Sequence, residues 1–197
     1  DLKMDKNLLQ KSAIELRKLI TNKDISPVEL TKLSLERIEE IDQKTNCFIT
    51  VTPENAIKAA KKIEDKILKG EELGKMVGIP TSIKDLEPVK GVRMTKGSLS
   101  FEKVIADQDQ ICVERIKNED GIILGKTNCS EFGHSGTNEN KLGEDTRNPW
   151  NLDCTSGASS GGAGVSVLTS VNTVAQASDG GGSTRIPASF CGLYGMI

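Results

Sequence analysis

Apolar residues recur every three or four positions through the first part of the chain, then give way to short unbroken runs. That change of period divides the sequence into two textures. In the first, Ala13, Leu16, Leu19 and Ile20 fall at helical spacing. Ser26-Pro27-Val28-Glu29 reads as a capping box with proline at the first helical position. It opens a helix to about Gln43 whose apolar face is Val28, Leu30, Leu33, Leu35, Ile38 and Ile41. Phe48–Val51 predicts a short strand, and Thr52-Pro53 starts a third helix to about Lys69, basic on its outer side.

From Val77 the pattern becomes that of alternating strands and helices. Val77–Ile83 predicts a buried strand ending at Lys84, Asp109–Asn118 a helix with Ile111, Val113 and Ile116 inward, and Gly121–Gly125 a buried strand. Residues 127–158 form a long polar stretch rich in Asn and Gly and containing Trp150, which predicts a long loop, functional or poorly ordered. Ser160 to about Ser170 predicts a helix, Val171–Ala177 a strand, Gly180–Ser183 a turn, and a further helix begins near Thr184. The expected fold class is α/β, a mixed β-sheet core flanked by helices. The expected organisation is a single domain with a helical region at 1–75 and an α/β catalytic portion at 76–197.

Composition narrows the function. The chain has 197 residues, enough for one domain with a real core. Lys and Arg number 26 against 28 Asp and Glu, an even balance that gives no electrostatic case for nucleic acid or a membrane surface. No apolar run has the length of a membrane span and the start has no signal-peptide pattern. Five scattered cysteines without a Cys-x-x-Cys pair point away from a disulfide scaffold or zinc ribbon and toward a reducing, cytoplasmic setting. With one histidine, His134, a His-rich metal site is excluded and no cofactor is expected. The start at Asp1 and the apolar end Leu193–Ile197 suggest a portion of a longer protein, incomplete at its C-terminus.

The candidate chemistry lies in two glycine- and serine-rich segments and one lysine. A predicted strand feeds Gly180-Gly181-Gly182, and Ser183 follows. Glycines let the backbone approach a ligand and point successive N–H groups at one spot. Taken alone, this segment also fits a phosphate-binding loop or a tight turn, although no Walker lysine follows. Ser159-Ser160-Gly161-Gly162 is built similarly, and alone fits a capped helix start with close packing. Lys84 alone fits a solvated lysine beside Asp85.

Together the segments resemble the amidase signature family. The resemblance covers nearly all of the chain: Gly-Ile-Pro-Thr-Ser-Ile-Lys-Asp at 78–85, Gly125-Lys126-Thr127-Asn128 with Glu131-Phe132-Gly133, Thr146-Arg147-Asn148-Pro149-Trp150, Ser159-Ser160-Gly161-Gly162, and Asp179 through Ala188 to Cys191-Gly192-Leu193. It implies an amide hydrolase with a Ser–cis-Ser–Lys triad: Ser183 as nucleophile, Ser159 as bridging serine after a cis peptide, and Lys84 as base. It also implies an oxyanion hole from the amides of Gly180, Gly181, Gly182 and Ser183. Gly133 then lines the acyl side of the pocket, and Ser160, Asp179 and Arg185 act as supports. His134 carries little catalytic weight. The implied substrate is a small linear or cyclic amide, and a homo-oligomer is possible.

The Asp-Gly-Gly-Gly-Ser form is similar to stand-alone amidases, including 6-aminohexanoate cyclic-dimer hydrolases. The glutaminase component of the amidotransferase that amidates misacylated tRNA usually has Thr where Gly180 stands. A glutaminase subunit of that kind is the alternative, and a non-catalytic truncated module the second alternative. The sequence departs from the family at Ser156-Gly157-Ala158, where Pro-Gly-Gly is usual, and at Gly195-Met196-Ile197. The family's domain is more than twice this length, so the isolated chain is expected to be a poor catalyst.

Overall fold

Local signals decide where the N-terminal helices begin. The computed structural model describes residues 6–197, and helix α1 (Ala13–Thr21) opens on Ser12, whose hydroxyl accepts from the Glu15 amide while the Glu15 carboxylate accepts from the Ser12 amide. The same reciprocal box, Ser26 with Glu29, opens α2 (Pro27–Thr45), where Pro27 occupies the first turn without the loss of a hydrogen bond. Each such cap is worth about 1 kcal/mol. Asn46 ends α2 in the left-handed conformation. After strand β1 (Phe48–Val51), α3 (Pro53–Lys69) buries Ala56, Ala60, Ile63 and Ile67, one face at four-three-four spacing, and leaves its lysines outside.

The central sheet has the order β1-β3-β2, with β2 at Pro80–Lys84 and β3 at Ile122–Thr127. β1 runs antiparallel to β3, and β2 parallel to it, so the sheet is mixed. The crossover from β2 to β3 carries α4 (Ile111–Asn118). Alternation along the strands sets the two faces. Ile122 and Leu124 join the main core with Leu16, Ile20, Leu30, Leu33, Ile63 and Val165, a cluster that reaches from Leu9 to Cys191 and joins the N-terminal helices to the α/β part. Ile83 and Ile123 point the other way, onto Val89, Val92 and Val113.

Several boundaries differ from the pattern-based expectation. The strand expected from Val77 starts only at Pro80, because Val77–Ile79 turn: the Ile79 amide donates to the Met76 carbonyl and Gly78 has φ +71°. Helix α4 begins two residues late because Asp109 is drawn out of it, its carboxylate accepting from the Lys90 amide and from Lys117. The long polar stretch is not structureless. It holds a 3-10 turn at Glu131–Gly133 and a hairpin of β4 (Arg147–Asn148) and β5 (Asn151–Thr155). Helix α5 spans Gly161–Leu168. The strand expected at Val171–Ala177 is absent. That segment runs along the edge of β2, but meets it through one backbone bond, Gln176 amide to Ser82 carbonyl at 2.9 Å, supplemented by Thr81 Oγ1 donating to the Val174 carbonyl. A short α6 (Arg185–Cys191) follows the glycine turn. No helix is long and apolar enough to cross a membrane among the described residues.

Candidate active site

Lys84 is the last residue of β2, and its side chain shares a face with Ser82, whose hydroxyl lies 3.3 Å from that of Ser166 on α5. This places the Lys84 amine beside the start of α5. Its Nζ lies 2.6 Å from Ser159 Oγ and 3.0 Å from Ser178 Oγ, and its backbone amide donates to Gln176 Oε1 at 3.0 Å. Lys84 and Ser159 are 75 residues apart in sequence and both buried. Burial disfavours the ammonium form and lowers the lysine to about 8; the charges of Glu87 and Asp179 oppose that shift.

The start of α5 can come this close because of its glycines. A Cβ at Gly162 would collide with the Cys47 carbonyl and the backbone of Asn128, so only glycine fits there. The Ala158–Ser159 peptide bond is cis. Gly133, at φ +71°, lies against the same serine: a Cβ there would stand 3.2 Å from Ser159 Oγ. Ser160 binds the second segment. Its amide donates to the Ser183 carbonyl at 3.1 Å, its hydroxyl donates to the Ser178 carbonyl, and it accepts from the Ser178 amide.

Asp179 organises the turn that carries Ser183. Its nearly inaccessible carboxylate accepts from the amides of Gly182 (2.7 Å), Thr184 (3.1 Å) and Arg185 (3.2 Å), and from Nε and a terminal nitrogen of the Arg185 guanidinium. The Arg185 guanidinium and these amides hold the carboxyl well below the usual carboxylate range. The Gly182 amide is thus engaged inside the turn. The amides of Gly180, Gly181 and Ser183 have no internal hydrogen bond among the described residues, and Gly180 and Gly181 are exposed.

The structure thus joins Lys84, Ser159 and Gly133 directly, and ties Ser183 to Ser160 through its backbone carbonyl, on the turn that Asp179 and Arg185 hold. His134 does not join them: it is exposed, and its amide closes the turn onto Glu131. Sequence reasoning missed Ser178, although it stands directly before Asp179, and it missed the partner of Asp85. That carboxylate is fully buried and accepts from Lys126 Nζ at 3.0 Å and from the amide and hydroxyl of Thr95. The signal was strand alternation, which turns Asp85 to the face opposite Lys84. An open groove between α3 and Val89–Val92, floored by Ile63 and Ile123, shares no lining residue with this cluster.

A family profile described as Amidase matches residues 29–196. The chain belongs to the amidase family. Among relatives of this amidase chain, a glutamyl-tRNA(Gln) amidotransferase subunit of Clostridium botulinum strain Hall is 43% identical over 190 residues, covering 96% of this chain and 39% of that protein. A bacterial aryl acylamidase of the amidase signature family superposes with a TM-score of 0.86 at 36% identity, covering 90% of this chain and 37% of that one. A 6-aminohexanoate cyclic dimer hydrolase complexed with substrate gives 0.85 at 30% identity, covering 93% and 37%. The amidase chain thus spans about two fifths of the length of the relatives it matches. Its identity to the amidotransferase protein exceeds that to the two hydrolases, although the sequence form at Gly180 pointed toward the stand-alone enzymes.

Proposed function

We propose that this chain carries the reacting groups of an amide hydrolase, with Ser183 as nucleophile, Ser159 as relay and Lys84 as base. The observation that carries the reading is the buried contact between Lys84 Nζ and Ser159 Oγ at 2.6 Å. A hydroxyl attacks an amide poorly until a base accepts its proton. A lysine lowered to about 8 has a substantial neutral fraction near physiological pH. Its lone pair accepts the proton of Ser159 while an N–H donates to Ser178. Ser159 in turn accepts from Ser183 as the Ser183 oxygen bonds to the substrate carbonyl carbon.

The developing oxyanion is received by the unengaged amides of Gly180, Gly181 and Ser183, with Gly182 reserved for holding the turn. Collapse of the tetrahedral intermediate breaks the C–N bond, and the proton returns through Ser159 to the leaving ammonia or amine. Water then attacks the acyl-enzyme by the same relay in reverse. Gly133 leaves room beside Ser159 for the acyl part of a small linear or cyclic amide. The test is hydrolysis of a simple aryl amide by the intact protein, with capture of Ser183 by a fluorophosphonate. Failure of both in a folded protein would support the non-catalytic alternative.

A second reading is favoured by one observation, the 43% identity to a glutamyl-tRNA(Gln) amidotransferase subunit. Here the same residues would act on glutamine and release ammonia to a partner protein. Glutaminase activity that increases when a second protein co-purifies supports this version; an aryl amidase active alone and inert toward glutamine rejects it.

A further inference from the structure

Two lysines are completely buried within the sheet, and the reading above uses only one. Lys126 lies on β3, paired across the ladder with Ile83, while Lys84 is paired with Thr127. The two amines therefore leave the sheet on opposite faces. Lys84 reaches Ser159 and Ser178, and Lys126 reaches Asp85, the residue immediately after Lys84. We propose that Lys126 is a positioning residue of the amide-hydrolysing site: by binding Asp85 on the far face of the sheet it cancels the charge of the buried carboxylate next in sequence to Lys84 and leaves the Lys84 amine with hydroxyl partners.

The carboxylates of Glu87 and Asp179 act on Lys84 as well, and each has a partner of its own. Glu87, two residues past Asp85, accepts from the Gln110 side chain at the surface. Asp179, from the nucleophile turn, is held by Arg185. Cys129, from the turn after β3, is buried, and its thiol is pushed up to about 12, first by burial and then by the charge of Asp85, so it remains neutral. Asp85 is fully buried, where an unpaired charge acts at low dielectric and over several ångströms. Thr95 contributes two hydrogen bonds to that carboxylate but no charge. Among the described residues, Lys126 is the cation paired with it. Without that balance the Asp85 carboxylate stabilises the ammonium form of Lys84 and removes the base.

This inference rests on Lys84 acting as the base, so the experiment reads the lysine and the reaction separately. In the intact protein labelled with carbon-13 lysine, the Cε resonance of Lys84, assigned by its loss in Lys84→Met, is titrated beside the pH profile of kcat/KM for a neutral aryl amide. Lys126→Met is expected to raise the Lys84 midpoint by about one unit. Lys126→Arg keeps the wild-type midpoint, and the neutral pair Asp85→Asn with Lys126→Met returns to it. A folded Lys126→Met protein with an unchanged Lys84 midpoint overturns the proposal. Should that variant fail to fold, Asp85→Asn alone, which leaves the Lys126 charge unbalanced, must lower the midpoint, and an unchanged or raised value overturns the proposal equally. A resonance that shifts while the rate profile stays fixed supports the role of Lys126 and rejects Lys84 as the base.

Discussion

At the scale of single residues, the serine and the lysine separate by what their removal changes. Ser183→Ala in the intact protein is expected to lower kcat by at least about 10³-fold with an unchanged melting curve, because it deletes the proposed attacking atom from a half-buried position whose backbone carries the tie to Ser160. Turnover by a purified mutant within tenfold of wild type would remove Ser183 from the mechanism. Lys84 gives a pH signature. With the lysine near 8, kcat/KM rises as pH increases through that value and then levels off, and Lys84→Ala abolishes the rise. The same shift bears on stability. The folded value lies below the ordinary 10.5, so below about 8 both states hold the proton and the fold carries the cost of a buried ammonium. Between those values the unfolded chain holds a proton that the folded chain has released, and stability rises with pH by up to about 3 kcal/mol. The raised thiols of Cys47, Cys112, Cys129 and Cys191 lower stability with pH in both proteins, so the reading is the difference: from pH 7 to 10 the denaturant midpoint of wild type should gain on that of Lys84→Met, and a constant difference would contradict the depressed lysine.

At the scale of elements, glycines that look alike in sequence have different duties. Gly162→Ala forces a methyl group into the backbone of Cys47 and Asn128 and should destabilise the protein by about 3 kcal/mol, whereas Gly180→Ala meets open space and should leave the melting temperature within experimental scatter. Equal effects on stability would contradict the packing described for α5. Asp179→Asn removes the anchor of the nucleophile turn and is expected to lower kcat/KM roughly 10²-fold by displacing Ser183. Because its carboxyl is held low, the anchor persists through mild acid and is lost only as pH falls through the depressed value.

The helices were legible because capping boxes and apolar periodicity are local. The lysine, the serines and the glycine turn stood out in their motifs, and the structure brings Lys84 and Ser159 into contact; their roles remain those proposed above. The strand expected at Val171–Ala177 was not formed because a strand needs a ladder, and this segment has one backbone bond to β2. The engagement of the Gly182 amide and the Lys126–Asp85 pair were hidden for a related reason: both depend on which way groups point after distant segments meet.

At the scale of the whole molecule, apolar side chains gather where the β4–β5 hairpin meets α6. Asn148 donates to the Phe190 carbonyl and Trp150 Nε1 to the Cys191 carbonyl, holding the hairpin against the helix end. Trp150 and Phe190 are exposed there, and Tyr194, Met196 and Ile197 of the segment after α6 are exposed as well. Such a patch seeks a cover. The isolated 197-residue chain should therefore scatter light as an associated species, and Trp150→Lys with Tyr194→Lys should shift it toward monomer; a wild-type chain that stays monomeric at high concentration would show the patch to be innocuous. The order in which the site is threaded along the chain has a consequence for biosynthesis. Lys84 and Ser159 leave the ribosome before Ser178–Ser183, so a growing chain acquires its proposed proton acceptor and relay first and its proposed nucleophilic oxygen last. On that reading a chain stalled before the turn lacks its nucleophile, and the contacts of Lys84 and Ser160 with Gln176, Ser178 and Ser183 form only after the turn has followed.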